Sequence, residues 1–390
     1  MRAYFDYNAT TPVDPSVLAA MLPYLSENFG NASSIHTPGQ RARAAVDHAR
    51  DSVADLLGAR PSDIVFTSGG TEADNLALFG ALDASTAARK HVITTAIEHP
   101  AVLNACQSLE SRGVEVTYVA VGGNGAVDPE EIRRAIRPET VLISVMHANN
   151  ETGVLQPVEE IGRIAEEFGL LFHVDAVQSA GKVSFDILQL GAHLVSISAH
   201  KIYGPKGVGA LYVRPGASIS PQFRGGHHER DLRPGTENVP GIVGLGRAAE
   251  LALDHLAEDC VGIALLRNRL ENSILEKIPA ARVNGQSAPR VPGTSNLCFD
   301  GAGGEALAIA LDLQGISFST GAACSSGAVE PSHVLLAMGL SPDEARSSVR
   351  FSLGRCTTAE EVDYLIAALS PAVERLRSLS PRFPARVEAR

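Results

Sequence analysis

The sequence contains no tryptophan, four methionines and five cysteines among 390 residues. The cysteines are Cys106, Cys260, Cys298, Cys324 and Cys356, and no two of them form a CxxC pair. An odd number of widely spaced cysteines fits neither a disulfide framework nor a zinc site, so we predict no resident metal. Such cysteines are typical of the reducing cytoplasm, where we expect the protein to work.

Positive charge is also scarce: 33 Lys and Arg residues stand against 44 Asp and Glu residues, a net charge of 33 − 44 = −11. This balance argues against nucleic acid or an anionic membrane as the main partner. The sequence has no long uncharged apolar run, so we predict no transmembrane helix. The N-terminal stretch MRAYFDYNATTPVDP lacks the apolar core of a signal peptide. With 45% hydrophobic and 20% charged residues, we expect a soluble globular protein.

From about residue 60 to 215, short apolar runs alternate with helical segments, a spacing typical of βαβ units. The runs are rich in Val, Ile and Leu, as strands covered on both faces should be. They predict an α/β fold with a mainly parallel, doubly wound sheet that binds ligands at the carboxyl ends of its strands. The predicted strands are DIVFTS, HVITTA, VEVTYVAV, VLISVMHA, LLFHVDA, LVSISAH and GALYVR, and the predicted helices are TEADNLALFGALDA, PAVLNACQSLESRG, DPEEIRRAIR and PVEEIGRIAEEFG.

The pattern changes after about residue 255, where a helix predicted over 262–278 precedes shorter strands. A chain of 390 residues is too long for one ordinary core. We therefore predict a large sheet domain of residues 14–255 and a smaller α+β domain of residues 1–13 and 256–390. The late elements are the strands TSNLCFD and SVRFSLG and the helices PSHVLLAMG and AEEVDYLIAALSPAVERLRSL.

The predicted strand LVSISAH ends in a hydroxyl, an imidazole and an amine, from Ser198, His200 and Lys201. A lysine that enters a buried region is costly unless its charge is compensated. One explanation is that Lys201 extends to solvent at the strand end. The other is that its amine forms a covalent adduct, and this stretch alone does not decide between them.

Four other predicted strands also end in polar groups. Gly69, Gly70 and Thr71 stand at the start of a helix, where free backbone N–H groups make a phosphate site. A tight turn capped by Thr71 is the alternative, and the spacing is not that of a Walker motif. The remaining strand ends carry His99, Asn149 with Asn150, and Asp175 with Gln178.

In a doubly wound sheet, these strand ends converge on one crevice. A lysine can form a Schiff base, an acid can pair with a pyridinium nitrogen, and a glycine-rich helix start can bind a phosphate. Together they indicate pyridoxal 5′-phosphate (PLP) as the cofactor. It would be attached to Lys201, and Ser198 and His200 would help to hold its phosphate.

Ten segments, which span nearly the whole chain, resemble the cysteine desulfurases of the NifS/IscS type, which are fold-type I PLP enzymes. The segments are YNATTPVDP, GNASSIHTPGQ, FTSGGTEADNLA, TAIEHPAV, MHANNETGVLQP, FHVDAVQSAGK, SAHKIYGPKGVGALYVR, RPGTENV, STGAACSSGAVEPSHVL and VRFSLGRCTT. The resemblance implies removal of sulfur from L-cysteine, which gives L-alanine and a persulfide on Cys324. It also implies that the sulfur passes to an acceptor such as an iron–sulfur scaffold protein.

The resemblance implies a role for each matching residue at the strand ends. Lys201 carries the cofactor, Asp175 pairs with the pyridine nitrogen, and Gln178 contacts the phenolic oxygen. The other cofactor contacts are Gly70, Thr71, Ser198 and His200 at the phosphate, Asn150, and His99, which stacks on the ring and shuttles protons.

Further implied roles fall outside these strand ends. Arg350 binds the substrate carboxylate with Asn31 nearby, although a structural ion pair is the alternative for Arg350. Thr236 reaches the phosphate of the other subunit's cofactor, which implies a homodimer. Cys324 is the nucleophile and a candidate for transient iron–sulfur ligation. Its small-residue surroundings predict a mobile loop rather than the buried cysteine that is the usual alternative.

Three residues depart from the family pattern: His228 replaces a Gln, Asp231 a small residue, and Cys356 a frequent aromatic. The first two affect the expected dimer contact and not the chemistry. Other functions remain open on the same fold. A selenocysteine lyase or an aminotransferase would share the PLP residues, but an aminotransferase would not need Cys324. A catalytically idle partner-binding protein is a third alternative. It would need none of the catalytic and cofactor residues Lys201, Asp175, His99 and Cys324.

Overall fold

A computed structural model describes residues 1–184, 186–320 and 330–379. Its largest sheet has seven strands in the order β2-β8-β7-β6-β5-β3-β4. Strand β8 runs antiparallel to both β2 and β7, and the other six strands run in one direction. The strands are β1 (Ala3–Tyr4), β2 (Ile64–Thr67), β3 (His91–Thr95), β4 (Glu115–Val119), β5 (Thr140–Met146), β6 (Leu171–Asp175), β7 (Leu194–Ser198), β8 (Gly209–Val213), β9 (Ala281–Val283), β10 (Thr294–Phe299), β11 (Ile316–Ser317), β12 (Ser319–Thr320) and β13 (Ser348–Ser352).

Helices cover both faces of this sheet, because successive side chains of a strand point to opposite faces. On β5, Leu142 packs against α3 and α4, whereas Ile143 packs in the cluster formed with α2, α6 and α7. The helices are α1 (Pro15–Ser26), α2 (Thr37–Leu57), α3 (Gly70–Ala84), α4 (Pro100–Glu110), α5 (Pro129–Ala135), α6 (Val158–Glu167), α7 (Val239–Lys277), α8 (Gly304–Asp312), α9 (His333–Ala337), α10 (Pro342–Arg346) and α11 (Ala359–Leu379). All seven predicted strands and the four helices predicted between them are present, which confirms the α/β prediction.

A second core lies beside an antiparallel sheet of the order β12-β13-β10-β9. The N-terminal strand β1 pairs in parallel with β11, and Phe5 is fully buried in this second core. Residues at the two ends of the chain thus pack together, as the predicted division places them; the division itself stays a prediction. The predicted nucleophile Cys324, with Gly321 and Gly327, lies outside the described residues.

Helix α7 is much longer than predicted, because it begins at Val239 rather than at residue 262. Glycines disfavour a helix locally, yet here they allow close helix packing. A Cβ atom on Gly246 would lie 2.6 Å from the Cα atom of Ala49 on α2. The predicted domain boundary therefore falls inside one continuous helix. Within the described ranges, no helix combines the length and the apolar character that a membrane crossing requires.

Candidate active site

The carboxyl ends of five parallel strands open into one cavity of about 310 Å³. Nine of the predicted site residues line it: Gly70, Thr71, His99, Asn150, Asp175, Gln178, Ser198, His200 and Lys201. The five stretches that carry them lie far apart in sequence, and only the sheet brings them together. Their individual roles remain predictions.

Lys201 ends a short 3-10 turn that directly follows β7, and it lines the cavity. Nζ donates hydrogen bonds to the backbone carbonyls of Asn8 and Ala9. Burial and the positive charge of Arg350 lower the pKa of Lys201 to about 8, although the Asp175 carboxylate opposes the shift. Near neutral pH, a larger share of this amine than of a surface lysine is therefore unprotonated, as a nucleophilic lysine requires.

Asp175 is the last residue of β6 and is only 6% exposed. Its Oδ1 accepts a 2.9 Å hydrogen bond from the Val177 N–H. Burial, and then the nearby charge of Asp74, raises the pKa of Asp175 to about 7. An adjacent cation would offset both effects, since opposite charge favours the ionised carboxylate. Asp175 therefore fits a protonated pyridine nitrogen.

The start of α3 forms a cradle for an anion. Gly69 has φ 153° and ψ −178°, a conformation that is essentially restricted to glycine. No side chain caps this helix, so the first backbone N–H groups remain available to a ligand. A Cβ atom on Gly70 would lie 2.7 Å from Cγ2 of Val177, so glycine keeps this wall open. With the nearby Ser198, the cradle fits a phosphate group.

His99 caps the N-terminus of α4, and its Nδ1 accepts a 3.1 Å hydrogen bond from the Ala101 N–H. A neutral ring in this arrangement carries its proton on Nε2. Although part of the ring is exposed, the enclosing protein and then the charges of Lys201 and His333 lower the pKa of His99 to about 4. His99 is therefore neutral at physiological pH, and it can accept a proton only when Nδ1 releases Ala101.

The two asparagines of HANNETG have different surroundings. Asn149 is completely buried, and its Oδ1 accepts hydrogen bonds from the N–H groups of Glu151 and Thr152. This contact fixes a turn. Asn150 lines the cavity instead. The contact of Asn150 with the cofactor stays a prediction.

Three predicted residues in the described part of the chain, Arg350, Asn31 and Thr236, do not line this cavity. Arg350 lies on β13 and pairs with Asp6 at 2.6 Å, so the ion pair that the sequence left open is present. Asn31 is exposed and accepts a hydrogen bond from the Ser33 N–H. Thr236 is exposed as well, and Cys324 lies outside the described residues. Among the described residues, no group of three or more His, Cys, Asp and Glu side chains could hold a metal ion.

Sequence reasoning missed three residues at the site. Asn8 contributes a backbone carbonyl, which leaves no signal in the choice of side chain. Asp74 lines the cavity and is 1% exposed; a carboxylate on the apolar face of α3 was a detectable signal. Lys182 donates a 2.8 Å hydrogen bond to Oε1 of Gln178, four residues earlier. The spacing of four residues between Gln178 and Lys182 is visible in the sequence, but the burial of Lys182 is not.

Comparisons with known proteins agree with this geometry. The model of the family "Aminotransferase class-V" matches residues 3–365. A protein named cysteine desulfurase IscS, from Anaeromyxobacter dehalogenans strain 2CP-C, is 51% identical over 383 residues, which are 97% of this chain and 94% of that protein.

Two solved structures are also similar. A NifS-like protein matches with a TM-score of 0.90 and 40% identity, over 96% of this chain and 100% of that one. The structure described as SspA in complex with cysteine matches with a TM-score of 0.81 and 39% identity, over 91% and 100% of the two chains. This chain therefore belongs to the class-V aminotransferase family and, within it, to the cysteine desulfurases of the NifS/IscS type.

Proposed function

We propose that this protein is a PLP-dependent cysteine desulfurase that converts L-cysteine to L-alanine and carries the sulfur as a persulfide on Cys324. One observation carries the proposal: a lysine with a lowered pKa, a buried acid and a glycine-rich helix start line the same cavity. The names of the relatives support the reaction, and the cysteine bound to the similar protein SspA supports the substrate.

The residues present fit PLP. Lys201 would hold its aldehyde carbon, Asp175 its ring nitrogen, and the Gly69–Thr71 cradle its phosphate. When bound, PLP supplies an electron sink for negative charge that develops on the substrate. Asp175 supports this by keeping the ring nitrogen protonated. The buried Asp175 carboxylate would then form an ion pair with the protonated ring nitrogen, which offsets the cost of its burial.

The chain's own groups carry out the remaining steps. The Lys201 amine is partly unprotonated, so it would remove the proton from the substrate Cα. Arg350 binds the substrate carboxylate, and neutral His99 accepts a thiol proton at Nδ1. The Cys324 thiolate attacks the substrate sulfur and the C–S bond breaks. The substrate Cβ keeps that electron pair and gains a proton, and Cα regains the proton that Lys201 removed, which leaves alanine and the persulfide.

A homodimer with composite sites completes the proposal. Thr236 is exposed and does not line the cavity of its own chain. Large apolar side chains near the N-terminus are also exposed, and such patches are typical of protein interfaces. They are Leu18, Leu22, Leu25, Phe29 and Ile35. In the dimer, each subunit would place its Thr236 at the phosphate of the other subunit's cofactor.

The persulfide passes to an acceptor, for which an iron–sulfur scaffold protein in the cytoplasm is the proposed case. This step follows from the chemistry of the product, since a persulfide sulfur is transferable to a second thiolate. Cys324 could then contact a growing cluster as a transient ligand. Acceptors of other kinds would receive the same sulfur.

The test supplies L-cysteine to the purified protein and measures alanine, sulfide and persulfide labelling. We expect equal amounts of alanine and transferred sulfur, and no sulfur release from Cys324→Ser. Cys356→Ser is the control, because Cys356 is an exposed cysteine of the described chain. Wild-type alanine formation in Cys324→Ser would contradict the mechanism. Formation of a keto acid would favour an aminotransferase, and turnover of selenocysteine alone would favour a selenocysteine lyase.

Subunit mixing tests the composite site. Thr236→Ala and Lys201→Ala each remove a different part of it, so neither homodimer should be active. In a mixed dimer, the subunit that retains Lys201 receives Thr236 from its partner, and one complete site forms. We expect activity to appear after subunit exchange. No gain in activity in verified mixed dimers would contradict the shared site.

A further inference from the structure

Lys182 is a second lysine close to Lys201, and the proposed mechanism does not use it. It lies seven residues after Asp175, and its Nζ donates a 2.8 Å hydrogen bond to Oε1 of Gln178. It also lines a small cavity of about 40 Å³ that borders Lys201 and Asn8. Burial and the charges of Lys201 and Arg350 lower the pKa of Lys182 to about 7.

This hydrogen bond determines which way the Gln178 amide points. A protonated lysine has only donors, so in that form it can face the amide oxygen but not the amide nitrogen. The Nε2 group must then lie on the opposite side, where it donates a 2.9 Å hydrogen bond to the carbonyl of Asn8. The same carbonyl accepts a hydrogen bond from Lys201. Lys182 thus contacts Gln178, and Gln178 and Lys201 share the Asn8 carbonyl as their acceptor.

An amide nitrogen has two N–H groups, and the Asn8 carbonyl accepts only one of them. The second is left for a ligand, and Gln178 lines the same cavity as Lys201. If the amide were reversed, its oxygen would face the cofactor instead and would repel an anionic oxygen there. The orientation of Gln178 therefore decides whether the site offers a donor or an acceptor at this position.

We propose that Lys182 is a positioning residue, which holds the Gln178 amide so that Nε2 faces the phenolic oxygen of the cofactor bound to Lys201. A donor at this oxygen stabilises its anionic form, and this lowers the affinity of the Lys201–cofactor linkage for its proton. The inference rests on the cofactor of the proposed function and adds a residue to that site.

Other ionisable groups surround Lys182 and could also affect a titration. Lys201 follows β7, and Arg350 lies on β13; Asp259 and Cys260 belong to α7, and Cys260 Sγ donates to the Lys182 carbonyl at 3.1 Å. Tyr7, Tyr203 and Arg355 also line the small cavity. The hydrogen bond from Lys182 Nζ to Gln178 links Lys182 to the cofactor site. The test must therefore separate the loss of this hydrogen bond from the loss of a positive charge.

The experiment titrates the visible absorbance of the cofactor-loaded enzyme with pH, without substrate. For Lys182→Met, we expect the midpoint to rise by about half to one pH unit, the size expected for the loss of one hydrogen bond. Gln178→Leu should give a similar rise, and the double variant should show no further rise because both act through one contact. Lys182→Arg keeps a donor and should restore the wild-type midpoint.

Lys90→Met is the matched control, since Lys90 also donates to an internal oxygen, the Leu82 carbonyl, but far from the cavity. Its midpoint should not change. If Lys182→Met does not retain the cofactor, Lys182→Gln replaces it, because a second amide accepts as readily as it donates and loses the directional preference; it should shift the midpoint in the same direction.

An unchanged midpoint in the Lys182 variants would overturn the proposal, and so would a double variant that shows the sum of the two shifts. A loss of thermal stability without a spectral change would identify a merely structural lysine. The titration needs a bound cofactor but no turnover. A protein that released no alanine would therefore contradict the proposed function and leave this test intact.

Discussion

Arg350 donates a 2.6 Å hydrogen bond from Nη2 to the carboxylate of Asp6, which joins β13 to the N-terminal segment. Its Nη1 donates to the backbone carbonyl of Asn150, a residue that lines the cavity. The residue is only 7% exposed, and within the described chain its Nε has no hydrogen-bond partner. A buried unsatisfied donor is unfavourable unless a ligand satisfies it. Arg350 is therefore held at the edge of the site with donor capacity left over.

Arg350→Lys should raise the KM for L-cysteine by roughly 10- to 100-fold, the range expected for a lost charged hydrogen bond. Lysine keeps the charge but cannot bind a carboxylate with two parallel N–H groups. Steady-state alanine formation measures the change. Arg290→Lys is the control, since Arg290 is equally buried and binds Glu271 through two hydrogen bonds away from the cavity. An unchanged KM in Arg350→Lys would leave Arg350 a structural residue.

Lys201→Ala should abolish turnover and the visible absorbance of covalently attached cofactor. The amine that holds the cofactor would be missing, and Lys182 cannot replace it because its Nζ is bound to Gln178. Absorbance spectra, followed by borohydride reduction and peptide mapping, measure the attachment. Lys206→Ala, an exposed lysine five residues away, should behave as wild type. A reducible adduct on any other lysine of the Lys201 variant would contradict the assignment.

Gly70→Ala should weaken cofactor binding by roughly ten-fold or more, since the new methyl group would meet Val177 at 2.7 Å and disturb the cradle. Equilibrium dialysis of the cofactor against the apoprotein gives the affinity. Gly303→Ala is the matched control, because a Cβ atom there meets no atom within 4 Å. Wild-type affinity in Gly70→Ala would show that the phosphate does not bind at this helix start.

The sequence predicts the sheet well because its strands are buried on both faces, so runs such as VLISV are nearly continuous in Val, Ile and Leu. The polar residues at the strand ends predict most of the cavity lining, because the carboxyl ends of parallel strands meet at one edge of the sheet. Long-range packing is not predictable in this way. The extension of α7 depends on the contact of Gly246 with Ala49, and the role of Asn8 depends on a carbonyl, so neither leaves a local pattern.

Glu98 is a buried carboxylate near Asp175, and sequence reasoning gave it no role. Its Oε1 accepts hydrogen bonds from the Thr95 hydroxyl at 2.6 Å and the Met146 N–H at 3.0 Å. In the described chain, its buried Oε2 has no hydrogen-bond partner. Burial raises the pKa of Glu98 to about 8, and the charges of Asp175 and Asp74 add to the effect.

Glu98→Gln should therefore stabilise the protein at pH 9 and leave its stability almost unchanged at pH 5. The folded state keeps the Glu98 proton up to about pH 8, whereas the unfolded state loses it near its ordinary pKa of about 4.3. Between these values, the folded state binds more protons, so the wild type loses stability as the pH rises. Glutamine carries no charge and keeps an oxygen for Thr95 and Met146. We expect a gain in Tm of a few degrees at pH 9 in thermal unfolding of the loaded enzyme, but none for the exposed control Glu374→Gln. An equal gain at both pH values, or a loss at pH 9, would contradict a neutral Glu98.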